Sequence, residues 1–141
     1  MAIGHSRDSV FKIDDPAGAL TEISTELTSV TFANPKGVID VSTFGDNYRD
    51  YIAGLADATI ELEGIYDPVS GKAGSIFNVL AHGTATQSIT YEYFPQGTAS
   101  GKRKITAEAF LTSFSVPSSL DEAVTFGVSL QSSGTVTVST V

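Results

Sequence analysis

Apolar and polar residues alternate with a period of two along much of this chain, the pattern of strands that bury one face. It is clearest over 120–131, where Leu120, Val124, Phe126, Val128 and Leu130 share one face and Asp121, Thr125, Ser129 and Gln131 the other. The segment before it, 104–116 (KITAEAFLTSFSV), turns Ile105, Ala107, Ala109 and Leu111 inward and Lys104, Thr106, Glu108 and Thr112 outward. PSSLDE supplies the turn that joins the two segments. Phe110 and Phe114 fall on the polar side of this alternation, so part of that face is expected to meet another surface.

Further strands are expected at 10–14, 27–33, 37–43, 57–65 and 88–94, giving about seven. One stretch has helical spacing instead: Ala73, Ile76, Phe77, Leu80 and Ala81 form a single apolar stripe. Asp67 or Ser70 can cap its start, Pro68 suits a first turn, and Gly83 can take the left-handed conformation that ends a helix. About three turns are marginal in water, so this helix must be held by packing on the sheets. The fold class expected is therefore mainly β, a β-sandwich or barrel with one flanking α-helix. With no repeat, linker or low-complexity tract to divide it, a single domain is expected over 1–141.

Composition narrows the chemistry. The chain has 141 residues, 41% hydrophobic and 17% charged, enough for a core that needs no metal or disulfide staple. It has no cysteine, which rules out disulfides and thiolate metal sites. No stretch is long and apolar enough to span a membrane, and the N-terminus has no signal-peptide pattern, so synthesis as a soluble cytoplasmic protein is expected. The formal charge of −8 argues against sequence-reading of nucleic acid through a basic face and against an anionic membrane surface. Between Lys36 and Lys72 lie Asp40, Asp46, Asp50, Asp57, Glu61, Glu63 and Asp67 against Arg49 alone, so that segment holds −6 of the −8. It builds either a solvated face or a shared acidic surface.

Catalytic patterns are weak. Of the two histidines, His5 sits near the N-terminus, and His82 falls in the last helical turn, where the helix dipole accounts for it. GTASG at 97–101 has its serine one place late for a nucleophile elbow and reads as a hairpin loop. SGKAGS lacks the glycine spacing and the hydroxyl residue of a phosphate loop, and no calcium-loop spacing is present. Glu61 and Glu63 could form a carboxylate pair, but no tryptophan lines a sugar cleft. No enzyme activity, cofactor or metal site is expected. The one basic cluster, GKRK at 101–104, reads as solvated, as paired with acids of a neighbour, or as a protein contact.

The order of features from 54 to 134 resembles the tail tube, or major tail, proteins of long-tailed bacteriophages. The series runs through Gly54-Leu55, Asp57-Ala58, Leu62, Gly64 and Tyr66-Asp67, then a short helix ending near Leu80 and Gly83. Tyr93, Pro95 and Gly97 follow, and AFLTSFSV, PSSLDEAV and VSLQSSG close it. The extra C-terminal immunoglobulin-like domain of some members is not expected here. The resemblance implies a structural virion protein that assembles with itself into hexameric rings, stacked into a tube for genome ejection, with inner sheets joined into a continuous barrel. Its further partners would be tape measure and tail terminator or tip proteins. Double-stranded DNA would pass through without specific binding.

Residue roles follow as expectations. Glu61, Glu63 and Glu108 are candidates to line an acidic lumen that repels phosphates. Phe110 and Phe114 are candidates for contacts between subunits. Phe44, Tyr48 and Tyr51, in a polar loop over 40–52, are candidates for contact between rings, the alternative being a loop folded on its own domain. Two other functions compete: a carbohydrate- or receptor-binding β-sandwich, and the tube of a contractile secretion apparatus.

Overall fold

A computed structural model describes residues 5–14, 18–82 and 88–141. In chain order the elements are β1 (Val10–Asp14), β2 (Leu20–Glu22), β3 (Leu27–Ala33), β4 (Lys36–Asp40), β5 (Tyr51–Ala56) and β6 (Thr59–Ile65). Then come α1 (Ala73–His82), β7 (Ile89–Phe94), β8 (Arg103–Ser115) and β9 (Thr125–Thr140). Seven strands are hydrogen-bonded antiparallel in the order β2-β1-β7-β8-β9-β6-β3, and β4 and β5 form a separate two-stranded ribbon. The sheets are sandwich-like and do not close into a barrel.

The two longest strands turn the corner of the sandwich. β6 pairs with β9 only over Thr125–Gln131, and β7 pairs with β8 only over Ile105–Ala109. The β8–β9 ladder shifts register once within each stretch, between Thr106 and Glu108 where β7 pairs and between Leu111 and Ser113 where β6 pairs. At the first shift β9 carries extra residues, among them Gly134 in the left-handed region at φ 80°. Bulges of this kind bend a strand and let it pass from one sheet to the other. One layer is thus β3-β6-β9-β8, and the other is β8-β7-β1-β2.

Side chains from both layers meet in one core. Phe11, Ile13 and Tyr91 come from the second layer; Ile60, Leu62, Phe126, Val128 and Leu130 come from the first. Phe11 stacks on Tyr91 at 5.9 Å between centroids, and the Tyr91 hydroxyl reaches the Ser132 hydroxyl at 2.9 Å. Burial raises the Tyr91 pKa above the ordinary phenol value, with the Ser132 hydrogen bond opposing it. Helix α1 closes the core from outside through Ala73, Ile76 and Phe77.

The helix begins later than its composition suggests. Gly71 stands at φ 86°, which no α-helix admits, so Asp67, Pro68 and Ser70 lie in the turn that precedes it. The Asp67 carboxylate accepts a hydrogen bond from the Val69 N–H at 3.0 Å, and so caps that turn rather than the helix. The expected helix end at Gly83 lies outside the described residues. Lys72, just before α1, reaches the buried Glu26 carboxylate at 3.3 Å and ties the helix entry to the connection between β2 and β3.

Strand expectations at 10–14, 27–33, 57–65, 88–94 and 104–116 match β1, β3, β6, β7 and β8 within two residues at each end. The strand expected over 120–131 instead starts at Thr125 and runs to Thr140, leaving Leu120 exposed in a loop and Val124 at the surface. Pro117 and the left-handed Asp121 at φ 68° keep 116–124 out of the ladder. The strand expected at 37–43 stops at Asp40, and its partner β5 overlaps the loop read over 40–52 only at Tyr51 and Ile52 and otherwise covers residues assigned to no element. With β2 and β5 added, the strands number nine among the described residues.

Close packing fixes two glycines, Gly64 and Gly74, by contact alone. A Cβ on Gly64 would lie 2.1 Å from the Glu26 carbonyl oxygen, where β6 presses against the start of β3. Gly64→Ala is expected to destabilise the monomer by about 2–3 kcal/mol through overpacking, measured by urea unfolding followed by circular dichroism.

Candidate functional site

The outer face of the β3-β6-β9-β8 layer is built by period-two alternation in four adjacent strands. On β6, Ile60 and Leu62 point to the core while Glu61 and Glu63 point away and are exposed. Cross-strand pairing sets their neighbours in two rows. Glu61 lies between Thr31 and Ser129, with Ser113 beyond; Glu63 lies between Ser29 and Gly127, with Ser115 beyond. These neighbours are small or hydroxyl residues, and β3, β6 and β9 contain no lysine or arginine. Two carboxylates about 7 Å apart along a strand repel by only ~0.6 kcal/mol in water, so the fold tolerates the pair while the face stays wet.

Glu108 is exposed on β8, on the same side as Phe110 but farther along the strands. It pairs across β9 with Ser133, whereas Glu61 pairs with Ser129, four residues along the same strand. That puts it roughly 13 Å from the Glu61 row. Its carboxylate is also engaged, accepting hydrogen bonds from the Ser88 hydroxyl at 3.0 Å and from the Thr90 hydroxyl. Sequence alternation cannot register this separation, because it carries no information on cross-strand register.

Phe110 and Phe114 also part company. The bulge between Leu111 and Ser113 adds one residue to β8, which inverts the facing of everything after it. Phe110 therefore stays on the outer face beside Gln131 and is partly exposed. Phe114 turns inward and packs on Phe77 and Phe126, at 6.2 and 6.5 Å between centroids. Its place on the polar face is thus corrected: within the subunit it is partly buried and packs against the core beside α1.

Both side edges of this layer are open. Among the described residues no strand pairs with the far edge of β3, and none with β8 beyond Ala109 on the β7 side. Facing the β3 edge, a cleft of about 390 Å³ runs between Val10 and Phe11 on one wall and Leu27–Val30 on the other. It marks where the sandwich stops short of closing.

From one end of the layer, β3 and β6 continue into the β4–β5 arm. The arm's base is fixed by the Asp57 N–H donating to the Pro35 carbonyl at 3.0 Å and by Gln131, whose amide donates to Asp57 and to the Ala58 carbonyl. Beyond the base, Val38, Ile39, Phe44, Tyr48, Tyr51 and Leu55 are all exposed. Phe44 and Tyr48 lie in the loop at its tip, and Tyr51 opens β5. The tip is ordered by its own polar groups: Asp46 accepts from the Thr43 N–H at 2.7 Å, and Asp40 accepts from the Ser42 N–H at 2.9 Å and from Arg49 at 3.2 Å. The reading in which 40–52 folds back on its own domain is not what the structure has; the arm stands clear of the core.

These features have known counterparts. The chain matches the family model described as phage tail tube protein over residues 4–138, and it belongs to that family. It is thus a structural component of a tail tube and of the virion. Among solved structures, it is similar to the tail of an empty gene transfer agent particle refined with helical C6 symmetry, with TM-score 0.78 and 14% identity over 97% of this chain and 99% of that one. The SPP1 tail tube matches with TM-score 0.74 and 14% identity over 99% and 80% of the two chains. A sheath-tube complex of an extracellular contractile injection system matches with TM-score 0.72 and 15% identity over 99% and 93%. No curated protein matches the sequence. No helix among the described residues is long and apolar enough to cross a membrane, and no group of three or more potential metal ligands is found among them.

Two measurements check this geometry. Phe114→Ala is expected to cost about 3–4 kcal/mol of monomer stability and Phe110→Ala about 1 kcal/mol or less, read by denaturant unfolding; equal effects would contradict the bulge. The Asp40 pKa is lowered first by the Ser42 backbone N–H, then by the Ser42 side chain and Arg49. A depressed carboxylate pKa stabilises above its unfolded value and loses that contribution as pH falls through the folded value. The Asp40 resonance is therefore expected to titrate below the usual aspartate range by NMR, with the 40–50 tip loosening over the same pH interval.

Proposed function

We propose that this subunit forms six-membered rings whose β3-β6-β9-β8 layers join edge to edge, stacked into a tube with Glu61 and Glu63 facing the lumen. The observation that carries the reading is the exposed four-stranded face, acidic and free of basic residues on β3, β6 and β9, bounded by two open strand edges. Open edges recruit further strands, and a closed ring of identical copies satisfies them without runaway growth. The β3 edge of one copy fits the β8 edge over Phe110–Ser115 of the next. Six-fold symmetry is taken from the related gene transfer agent tail.

The acid then has a mechanical use. Duplex DNA carries one phosphate charge per roughly 1.7 Å of axis, and a conduit that offered many basic contacts would hold it. Six copies of Glu61 and Glu63 in a narrow channel, where the field is focused, keep phosphates off the wall. Glu108, bonded to Ser88 and Thr90 and away from that row, supports the ladder more than the lumen. The protein works without catalysis, and the tape measure and the terminator or tip proteins of the same tail are the further partners this reading requires. Phe44, Tyr48 and Tyr51 on the arm serve contact between rings, and Phe110 the contact between copies in a ring. A tube of a contractile injection apparatus is the second reading, favoured by the likeness to the sheath-tube complex.

The lumenal assignment is tested by replacing Glu61 and Glu63 together with lysine. Tubes should still assemble by electron microscopy, while particles carrying the variant deliver DNA poorly; undiminished infectivity would sink the assignment. Edge pairing is tested in this cysteine-free chain by combining Thr31→Cys with Ser113→Cys. Oxidation of assembled rings should link copies into a ladder up to the ring number, and purely monomeric product would refute the β3 to β8 contact.

A further inference from the structure

The arm has apolar side chains on both of its faces. Cross-strand pairing of Val38 with Ala53 and of Asp40 with Tyr51 puts Val38 and Tyr51 on one face; pairing of Ile39 with Ile52 puts those two on the other. A two-stranded ribbon is marginal in water by itself, so both faces need a cover. The exposed arm side chains together present on the order of 1,000 Å², against the roughly 800 Å² per partner of a standard interface. The two faces of the arm together therefore offer enough surface for a stable contact.

A second apolar surface lies at the other end of the same layer. β3 enters the arm at Ala33 and β6 leaves it at Thr59, whereas Ile65, Ser115 and Thr125 mark the opposite end, roughly 20 Å along the strands. There the β8–β9 loop exposes Val116, Leu120 and Val124, next to Ile65. Leu120 is 93% exposed, and the residue after it, Asp121, holds φ 68°, the left-handed conformation that aspartate tolerates in turns. The loop contributes no side chain to the core cluster.

Surfaces at opposite ends of one molecule cannot meet within it. They meet when copies stack in one direction, which is a head-to-tail contact that builds a linear array. We infer that the arm of one copy docks on the 116–124 loop of a copy in the adjacent ring, with Leu120 as the anchor and Tyr48, Tyr51 and Val38 around it. This rests on the tube reading above and adds to it the receptor for the arm. Because both arm faces are apolar, the arm lies wedged between that loop and a second surface of the stack.

Leu120→Glu tests the contact without touching the core. The variant should keep the monomer's circular dichroism and thermal midpoint, still form rings, and raise the protein concentration needed for tubes by roughly tenfold or more, as expected for a charge in a buried anchor site. Tubes of normal length at the normal concentration would overturn the docking while leaving the tube reading intact. Absence of rings and tubes from the unaltered protein would overturn both. As an independent measurement, Leu120→Cys protein is mixed with Tyr48→Cys protein and oxidised after assembly. A mixed disulfide dimer supports the contact, and assembled tubes that yield no mixed dimer refute it.

Discussion

The structure depends on the pairing of β8 with β9, the longest ladder in the molecule and the one element shared by both layers. Antiparallel strands hold their register only while each faces a matching partner, and a bulge moves every later residue to the other face. Here two register shifts within one ladder do the folding of the sandwich. The first, at Gly134, bends the pair so that β6 joins one end and β7 the other. The second turns Phe114 inward against the core beside Phe77 and Phe126, and so gives α1 something to pack on.

That division leaves a first layer with an apolar inner face, a wet outer face and two bare edges. The outer face needs no counter-charge for Glu61 and Glu63, since exposed carboxylates at strand spacing repel weakly in water. The bare edges are a hazard in a monomer and an asset in a ring. Membership of the tail tube protein family accounts for why such edges persist, and the fold shared with gene transfer agent, phage and injection-system tubes spans nearly the full chain at 14–15% identity. What persists at that divergence is the layer geometry, which many different core sequences can fill.

The arm and the β8–β9 loop extend the same logic along the other axis. Neither contributes to the core, both carry large apolar side chains in water, and they stand at opposite ends of the strands. A subunit with edge contacts sideways and end contacts lengthwise has the connectivity of a tube wall.

The sequence by itself determined the mainly β class, the position of α1, and the inward and outward sides of β6, because a period of two or of 3.6 is a local property. It also carried the family resemblance and the local excess of acid. Only the tertiary structure decided that Glu61 and Glu63 sit in adjacent rows while Glu108 lies roughly 13 Å along the strands, since that depends on the register across β9. It decided likewise that Phe114 turns inward against the core while Phe110 stays outside, since one extra residue at a bulge is invisible to alternation. Leu120 and Val124 fit the strand period yet lie in a loop, because Pro117 and the left-handed Asp121 break the ladder before pairing can begin. The arm strand β5 escaped notice for the converse reason: YIAGLA has no polar alternation, as a ribbon with apolar residues on both faces has no inside until a partner supplies one.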